Sequence, residues 1–256
     1  MKRAWFALLF ALIGSPCLTA QPYQQPTSAE HDHSLHQHHQ HDMTMPDVAV
    51  DPAAQAKLLA DKQESEFNHH LAGFFVALGG AFILSQSIVA KRWPPAKYIW
   101  PASFFLSGIF VLVWSDTELW PFGSRHWLEA LQNNREVLQH KTFAVLLLAL
   151  GIIEWLRLKG TLSAAWSALV FPFLAIGGSI LLLFHQHEAG MHGPDHMQLM
   201  ARIQSEHLSY AVVGIGIGLS KALADLGSPS PARKIFSSLW PLLMFGLGIL
   251  LMFYRE

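Results

Sequence analysis

Six apolar runs follow one another along the C-terminal three quarters of the chain: Leu71–Ala90, Tyr98–Ser115, Thr142–Leu156, Leu162–Phe184, Leu208–Leu223 and Phe236–Tyr254. Each approaches the ~20 apolar residues that cross the hydrocarbon of a bilayer as a helix. The third and fifth are short and need flanking residues, because backbone polar groups inside lipid must stay hydrogen-bonded within the helix. The pattern predicts an all-α polytopic membrane bundle of about six transmembrane helices (residues 67–256) rather than the buried helices of a water-soluble domain. The first seventy residues contrast with this. Residues 1–20 read as a secretory signal, with Lys2 and Arg3 as the basic start, Ala4 to Ile13 as the apolar stretch and Leu18-Thr19-Ala20 as the cleavage site. Residues 21–66 hold few large apolar side chains, so they predict a disordered tail, with a short surface helix from Ala53 to Glu66 leading to the first span.

Charge sets the expected orientation. The loops Lys91 to Lys97, Arg157 to Lys159 and Lys221 to Lys234 are basic, which predicts a cytoplasmic face. A cleaved signal places the new N-terminus outside, so the two arguments agree independently. The loops Asp116–Gln139 and His185–Glu206 then face outward, into the periplasm of a Gram-negative inner membrane. Charged residues make up only 14% of the 256, and the net charge is −1, so no basic footprint points to nucleic acid. Cys17 is the single cysteine, which excludes a disulfide scaffold. No phosphate-cradling glycine loop with Lys-Ser/Thr, no His-Glu-x-x-His and no Cys-x-x-Cys-His occurs, so no enzymatic activity is expected.

The informative residue is histidine, with 15 copies. On the predicted topology every one falls on the outer side. His31, His33, His36, His38, His39 and His41 lie in the tail, followed by Met43 and Met45. Closely spaced imidazoles there chelate Ni, Zn or Cu with low specificity, or simply solubilise the tail. His69 and His70 stand at the mouth of the first span, where one turn of helix lets at most one face the bundle. The second outer loop carries His185, His187, Met191, His192, His196 and Met200, ending at His207. Pro194 suits the first position of a helix, and His196, Met200 and His207 would share its face. Two helix ends would converge on one ion; the alternative is a polar interfacial loop. His140 shares a helix face with Glu136 and Phe143, so Glu136 is expected to orient the imidazole from behind, or else to serve only as a helix-start carboxylate. Asp116 and Glu118 either supply oxygen ligands or cap the second span. Imidazole with thioether and no thiol suits copper in an oxidising compartment.

Other marks read as structural. Trp93, Trp100, Trp114, Trp120, Trp127 and Trp155 predict an interfacial belt. Gly214 with Gly218, Gly79-Gly80 and Gly177-Gly178 predict close helix packing. Glu154, beside Arg157, predicts an ion pair at the inner end, with proton or ion movement the lesser reading.

The outer His/Met loop, His207-Leu-Ser-Tyr210 and Glu136-Val-Leu-Gln-His140-Lys-Thr-Phe143 resemble bacterial copper-resistance membrane proteins of the protein D type, over about residues 68–254. That family has more spans than six and lacks such a tail. The resemblance implies copper transport, resistance or delivery, with His140, His185 and His207 as copper contacts and a periplasmic copper chaperone or oxidase as partner. Two readings compete with it: a b-type haem electron carrier with His140 and His207 as axial ligands, and a non-catalytic membrane sensor or assembly subunit whose histidines titrate near neutral pH.

Overall fold

In a computed structural model, the described residues are 52–119, 121–162, 165–185, 194–227 and 229–255; of residues 54 and 194–197 the backbone alone is described. The signal segment, the tail histidines and His187, Met191 and His192 lie outside them. The described chain is all-helical, with one isolated bridge between Leu119 and Arg125. In order it forms α1 (Pro52–Arg92), a 3-10 turn (Pro94–Tyr98), α2 (Ile99–Trp114), α3 (Trp127–Asn133), α4 (Arg135–Leu158), α5 (Ser167–Leu182), α6 (Pro194–Leu226) and α7 (Pro231–Met252).

Six of these close into a ring. α1 packs on α2, α2 on α4, α4 on α5, α5 on α6, α6 on α7, and α7 returns to α1. Local sequence sets the ends. Asn134 caps α4 by accepting from the Val137 N–H at 2.9 Å. Ser230 caps α7 by accepting from Arg233 N, with Pro231 at the first helical position.

The helix boundaries differ from those expected in three places. The surface helix and first span are one continuous α1 of 41 residues, because nothing between Ala53 and Leu71 breaks it and Ala, Lys, Gln and Glu favour helix. The stretch 52–66 is therefore not part of a disordered tail. The stretch Asp116–Gln139, expected as a loop, contains α3 and the start of α4, folded over a small core of Leu119, Ala130 and Val137. Lys221 lies within α6 and not in a basic loop, since the helix runs on to Leu226.

The membrane arithmetic also shifts. Among the described residues, four helical segments are long and apolar enough to cross a membrane: Gln55–Arg92, Pro94–Trp114, Gln198–Leu226 and Pro231–Met252. α4 is 24 residues long but polar at both ends, through Arg135, Glu136 and Lys141 and then Glu154 and Arg157. α5 is apolar but 16 residues long. Outward faces are strongly apolar, with Ile88, Phe173, Val212 and Ile235 all more than half exposed. Water tolerates such contiguous surface poorly, whereas lipid does not penalise it.

Small residues bring the helices together. A Cβ on Gly80 would lie 2.6 Å from the Phe245 backbone nitrogen, and one on Gly248 would lie 2.3 Å from that of Ala77, so α1 and α7 touch backbone to backbone. Gly214 and Gly218 let α6 close on side chains of α5, where a Cβ would meet Ser179 and Ile176. Gly177 is different: a Cβ there meets nothing within 4 Å, so it is not a packing glycine. Trp93, Trp114 and Trp155 are exposed, as a belt requires, but Trp100 is buried at 5% exposure in the bundle core.

Two glycines of α7 make the packing testable. Gly248→Ala is expected to destabilise the bundle by about 1–3 kcal/mol through overpacking. Gly246→Ala meets open space and is expected to stabilise by roughly 0.5–1 kcal/mol, the helix propensity difference. Thermal unfolding in detergent should move in opposite directions for the two variants.

Candidate metal centre

At one end of the ring the histidines of four segments gather. His69 comes from α1, His140 from α4, His185 from the turn after α5 and His207 from α6, while Tyr254 follows α7. The basic residues Arg92, Lys97, Arg157 and Arg233 sit at the other end of their helices. Along α1, the 23 residues from His69 to Arg92 rise about 34 Å at 1.5 Å each.

The rings form a chain of contacts. His140 and His185 have centroids 5.4 Å apart, His185 and His207 5.1 Å, and His207 and His69 6.1 Å. His69 stacks on Tyr254 at 3.9 Å. His70 turns aside, placing Nε2 2.9 Å from the Tyr254 carbonyl. One histidine of the pair thus lines the central cavity, as adjacent positions on a helix dictate. His207 is buried at 4% exposure, and Met200 also lines the cavity. His196 is on the helix as expected, with no description of its side chain.

Three residues can hold one ion. A carboxylate oxygen of Glu136 and a ring nitrogen each from His140 and His185 all lie within 4.8 Å of one another. Metal–nitrogen bonds are about 2.0–2.1 Å and metal–carboxylate bonds about 2.0–2.2 Å, so donors at this separation can share an ion after small side-chain movements. Glu136 is therefore placed as a donor in its own right. The orienting role expected of it belongs to Asp116, whose Oδ1 sits 3.0 Å from His140 Nδ1. Glu118 does neither job; it pairs with exposed Arg125 at 2.8 Å.

Hydrogen bonds fix which ring nitrogen is offered. His140 Nδ1 donates to the Asp116 carboxylate, His185 Nδ1 to Gln139 Oε1 at 2.8 Å, and His69 Nδ1 to the Ser65 carbonyl at 2.8 Å. Each partner is an oxygen that only accepts, so Nδ1 carries the hydrogen and Nε2 of the neutral ring holds the lone pair. A carboxylate or carbonyl behind an imidazole is the usual support for a metal-binding histidine. Gln139 does double duty, since its Nε2 donates to the Phe184 carbonyl at 2.9 Å and so pins the turn that presents His185.

Asp116 is itself held from several sides. Ser115 Oγ donates to Oδ2 at 2.6 Å, and Lys141 Nζ pairs with the same oxygen at 2.7 Å. Lys141 also donates to the Leu112 carbonyl and to Ser115, and lies over the Trp127 ring at 5.1 Å. Burial by itself raises the Asp116 carboxyl. The hydrogen bond and charge of His140, with the bonds from Lys141 and Ser115, outweigh it and hold the group at about 2, below its ordinary 3.8. Gln139 and Lys141 were not singled out in the sequence. Their only signal is two polar residues beside His140 immediately before an apolar run.

Below the histidines a cavity of about 1200 Å³ runs into the bundle, walled by apolar side chains down to Phe104, Phe171 and Met244.

The Asp116–Lys141 pair carries a stability prediction. Asp116→Asn leaves a buried ammonium without its counter-charge and should cost about 3–5 kcal/mol. The double variant Asp116→Asn/Lys141→Met should regain most of it, read by thermal unfolding. A carboxyl depressed in the fold stabilises above 3.8 and loses that contribution as pH falls toward about 2. Acid titration of stability should therefore be flatter in the double variant over that window. Compared with family models, with curated proteins and with solved structures, the chain matches none.

Proposed function

We propose that the chain is a six-span protein of the bacterial inner membrane that binds copper at its histidine end and handles it on the extracytoplasmic side. The observation that carries this reading is the shared hydrogen-bond pattern of three imidazoles. His69, His140 and His185 each commit Nδ1 to an oxygen acceptor, which turns Nε2 into the donor atom of a metal ligand. His207 and Met200 line the same cavity and add a further imidazole and a soft thioether. Imidazole and thioether together suit copper across both oxidation states. The six-span arrangement is supported by the closed ring, in which α4 and α5 take their places between helices long enough to cross. The outward assignment of the histidine end is supported by Lys91, Arg92, Lys97 and Lys159 falling at the opposite end. In this reading the tail histidines His31–His41 capture metal at low specificity, and a periplasmic copper chaperone or oxidase exchanges it.

The ring spacing bears on the haem alternative. His185 touches both His140 and His207, at 5.4 and 5.1 Å between centroids. A macrocycle ligated by His140 and His207 would have to displace it, whereas a single ion would not.

The test is metal and pigment content of the purified full chain with the six tail histidines replaced by serine. Deleting residues 21–66 would remove the first 15 of the 41 residues of α1, including Glu64, which accepts from Thr117 N and Oγ1. About one copper per chain is expected, lost in His140→Ala/His185→Ala. Asp116→Asn is expected to weaken binding about 10–100-fold, the usual cost of removing the group behind a metal-binding histidine. A colourless protein without bound copper after copper loading would overturn the reading, and a Soret band would replace it with haem.

A further inference from the structure

A second cavity lies at the other end of the bundle. It holds about 430 Å³ and is lined by Gln86, Glu154, Arg157, Ser167, Lys221 and the indoles of Trp100 and Trp240, among others. Its polar wall is an ion-pair chain. Arg157 bonds Glu154 at 2.6 Å and Asp225 at 3.2 Å, and Lys221 pairs with the same Asp225 oxygen. Glu154 and Lys221 are 3% and 5% exposed, so two charges near the last turns of α4 and α6 are buried and face a pocket rather than bulk water. Charged groups so placed inside apolar segments are costly and are found where they serve a path for solutes.

The two cavities approach each other and stop at one layer. Phe104 and Phe171 line the floor of the histidine-end cavity, and Trp100 and Trp240 line the roof of the ion-pair cavity. The four rings pack edge to face, with Trp100–Phe104 at 6.4 Å, Trp100–Phe171 at 6.2 Å, Trp100–Trp240 at 5.8 Å, Phe104–Phe171 at 5.9 Å and Phe171–Trp240 at 5.7 Å. They come from α2, α5 and α7, so no single helix owns the layer. Lys221 Nζ sits on its lower face, 5.0 Å from the Trp240 ring and 5.8 Å from that of Phe171. On the upper face Met244 places a thioether in the cavity floor.

We propose that this four-ring layer is the closed gate of a translocation path, with the two cavities as its vestibules and a soft transition-metal cation as its cargo. The cargo rests on the copper reading above; the path does not. A cation descends from nitrogen and oxygen donors at the mouth to sulfur at the floor. Above an apolar constriction it is stopped because water does not wet the gap and cannot hydrate it through. The aromatic faces supply the only compensation there, through attraction of a cation to the ring quadrupole. Lys221 already occupies that attraction from below, and so opposes an ion arriving from above until the rings part.

The test uses the full chain with Cys17→Ala in sealed vesicles of both orientations, and a membrane-impermeant maleimide. Ala175→Cys stands one turn from Phe171 in the histidine-end cavity, and Gln86→Cys stands in the other. The two positions are expected to label from opposite sides only. Adding Phe171→Ala with Trp240→Ala should let the A175C chain label from both sides and raise copper release from loaded vesicles by at least an order of magnitude. Phe171→Leu gives a milder opening should the double truncation fail to fold. Labelling of both positions from one side, or of A175C from both sides with the layer intact, would overturn the gate. Opposite-sided labelling with no copper flux through the truncated layer would overturn copper as cargo, while the path itself and copper binding at the histidine end, which metal content reads separately, would stand.

Discussion

The histidine end depends on one buried carboxylate. Asp116 accepts from Ser115, Lys141 and His140, and these partners belong to α4 and to the residue that follows α2. A lone carboxylate at this depth would be expelled or protonated. Paired with Lys141 it stays ionised, and its second oxygen is then available to hold an imidazole in one tautomer. The ion pair contributes little net stability against an apolar pair of the same shape. Its value is geometric, because it fixes the rotation of α4 against the end of α2 and thereby points His140 and Glu136 inward together.

The same logic extends outward in steps. Gln139, one position before His140, ties α4 to the turn after α5 and sets His185. Glycine contacts hold α1 against α7 at backbone distance, which lets His69 reach Tyr254 and approach His207. Helices in lipid gain little from burying apolar surface against each other, so close backbone approach and polar ties carry more of the specificity. The arrangement of donors is thus a product of helix packing at the small residues and of a few polar side chains that each touch two elements.

Much of the helix order was legible because apolar run length is a strong signal in a membrane chain. The clustering of histidines at one end followed from alternating the direction of successive runs. What failed did so for local reasons. Hydropathy ended α1 and α6 where charge began, yet helices continue through Lys, Gln and Glu as readily as through Leu. Trp100 was assigned to the interface because it stands near a predicted span boundary, but a tryptophan one residue into a helix can equally turn inward, and its ring joins the core layer. Of the two readings of Glu136, orienting acid one turn from His140 or helix-start carboxylate, the second matches its place in the first turn of α4, and it is Asp116, 24 positions away in sequence, that accepts from His140. Pairings across such separations leave no trace in a single sequence. The pairing of Glu154 with Arg157 was readable at three-residue spacing; the extension through Asp225 to Lys221 was not.

Chain order adds a constraint on assembly. α1 is the first described helix to be synthesised and α7 the last, yet each is the other's main partner. Until α7 is inserted, the faces of Gly73 and Gly80 stand open, and His69 lacks the Tyr254 ring on which it stacks. Contacts between such distant segments form late, since the intervening chain must be in place before they gain anything. The donor set therefore matures only with the final helix. A half-made chain holds scattered histidines, and the assembled cluster arrives together with the closed ring that contains it.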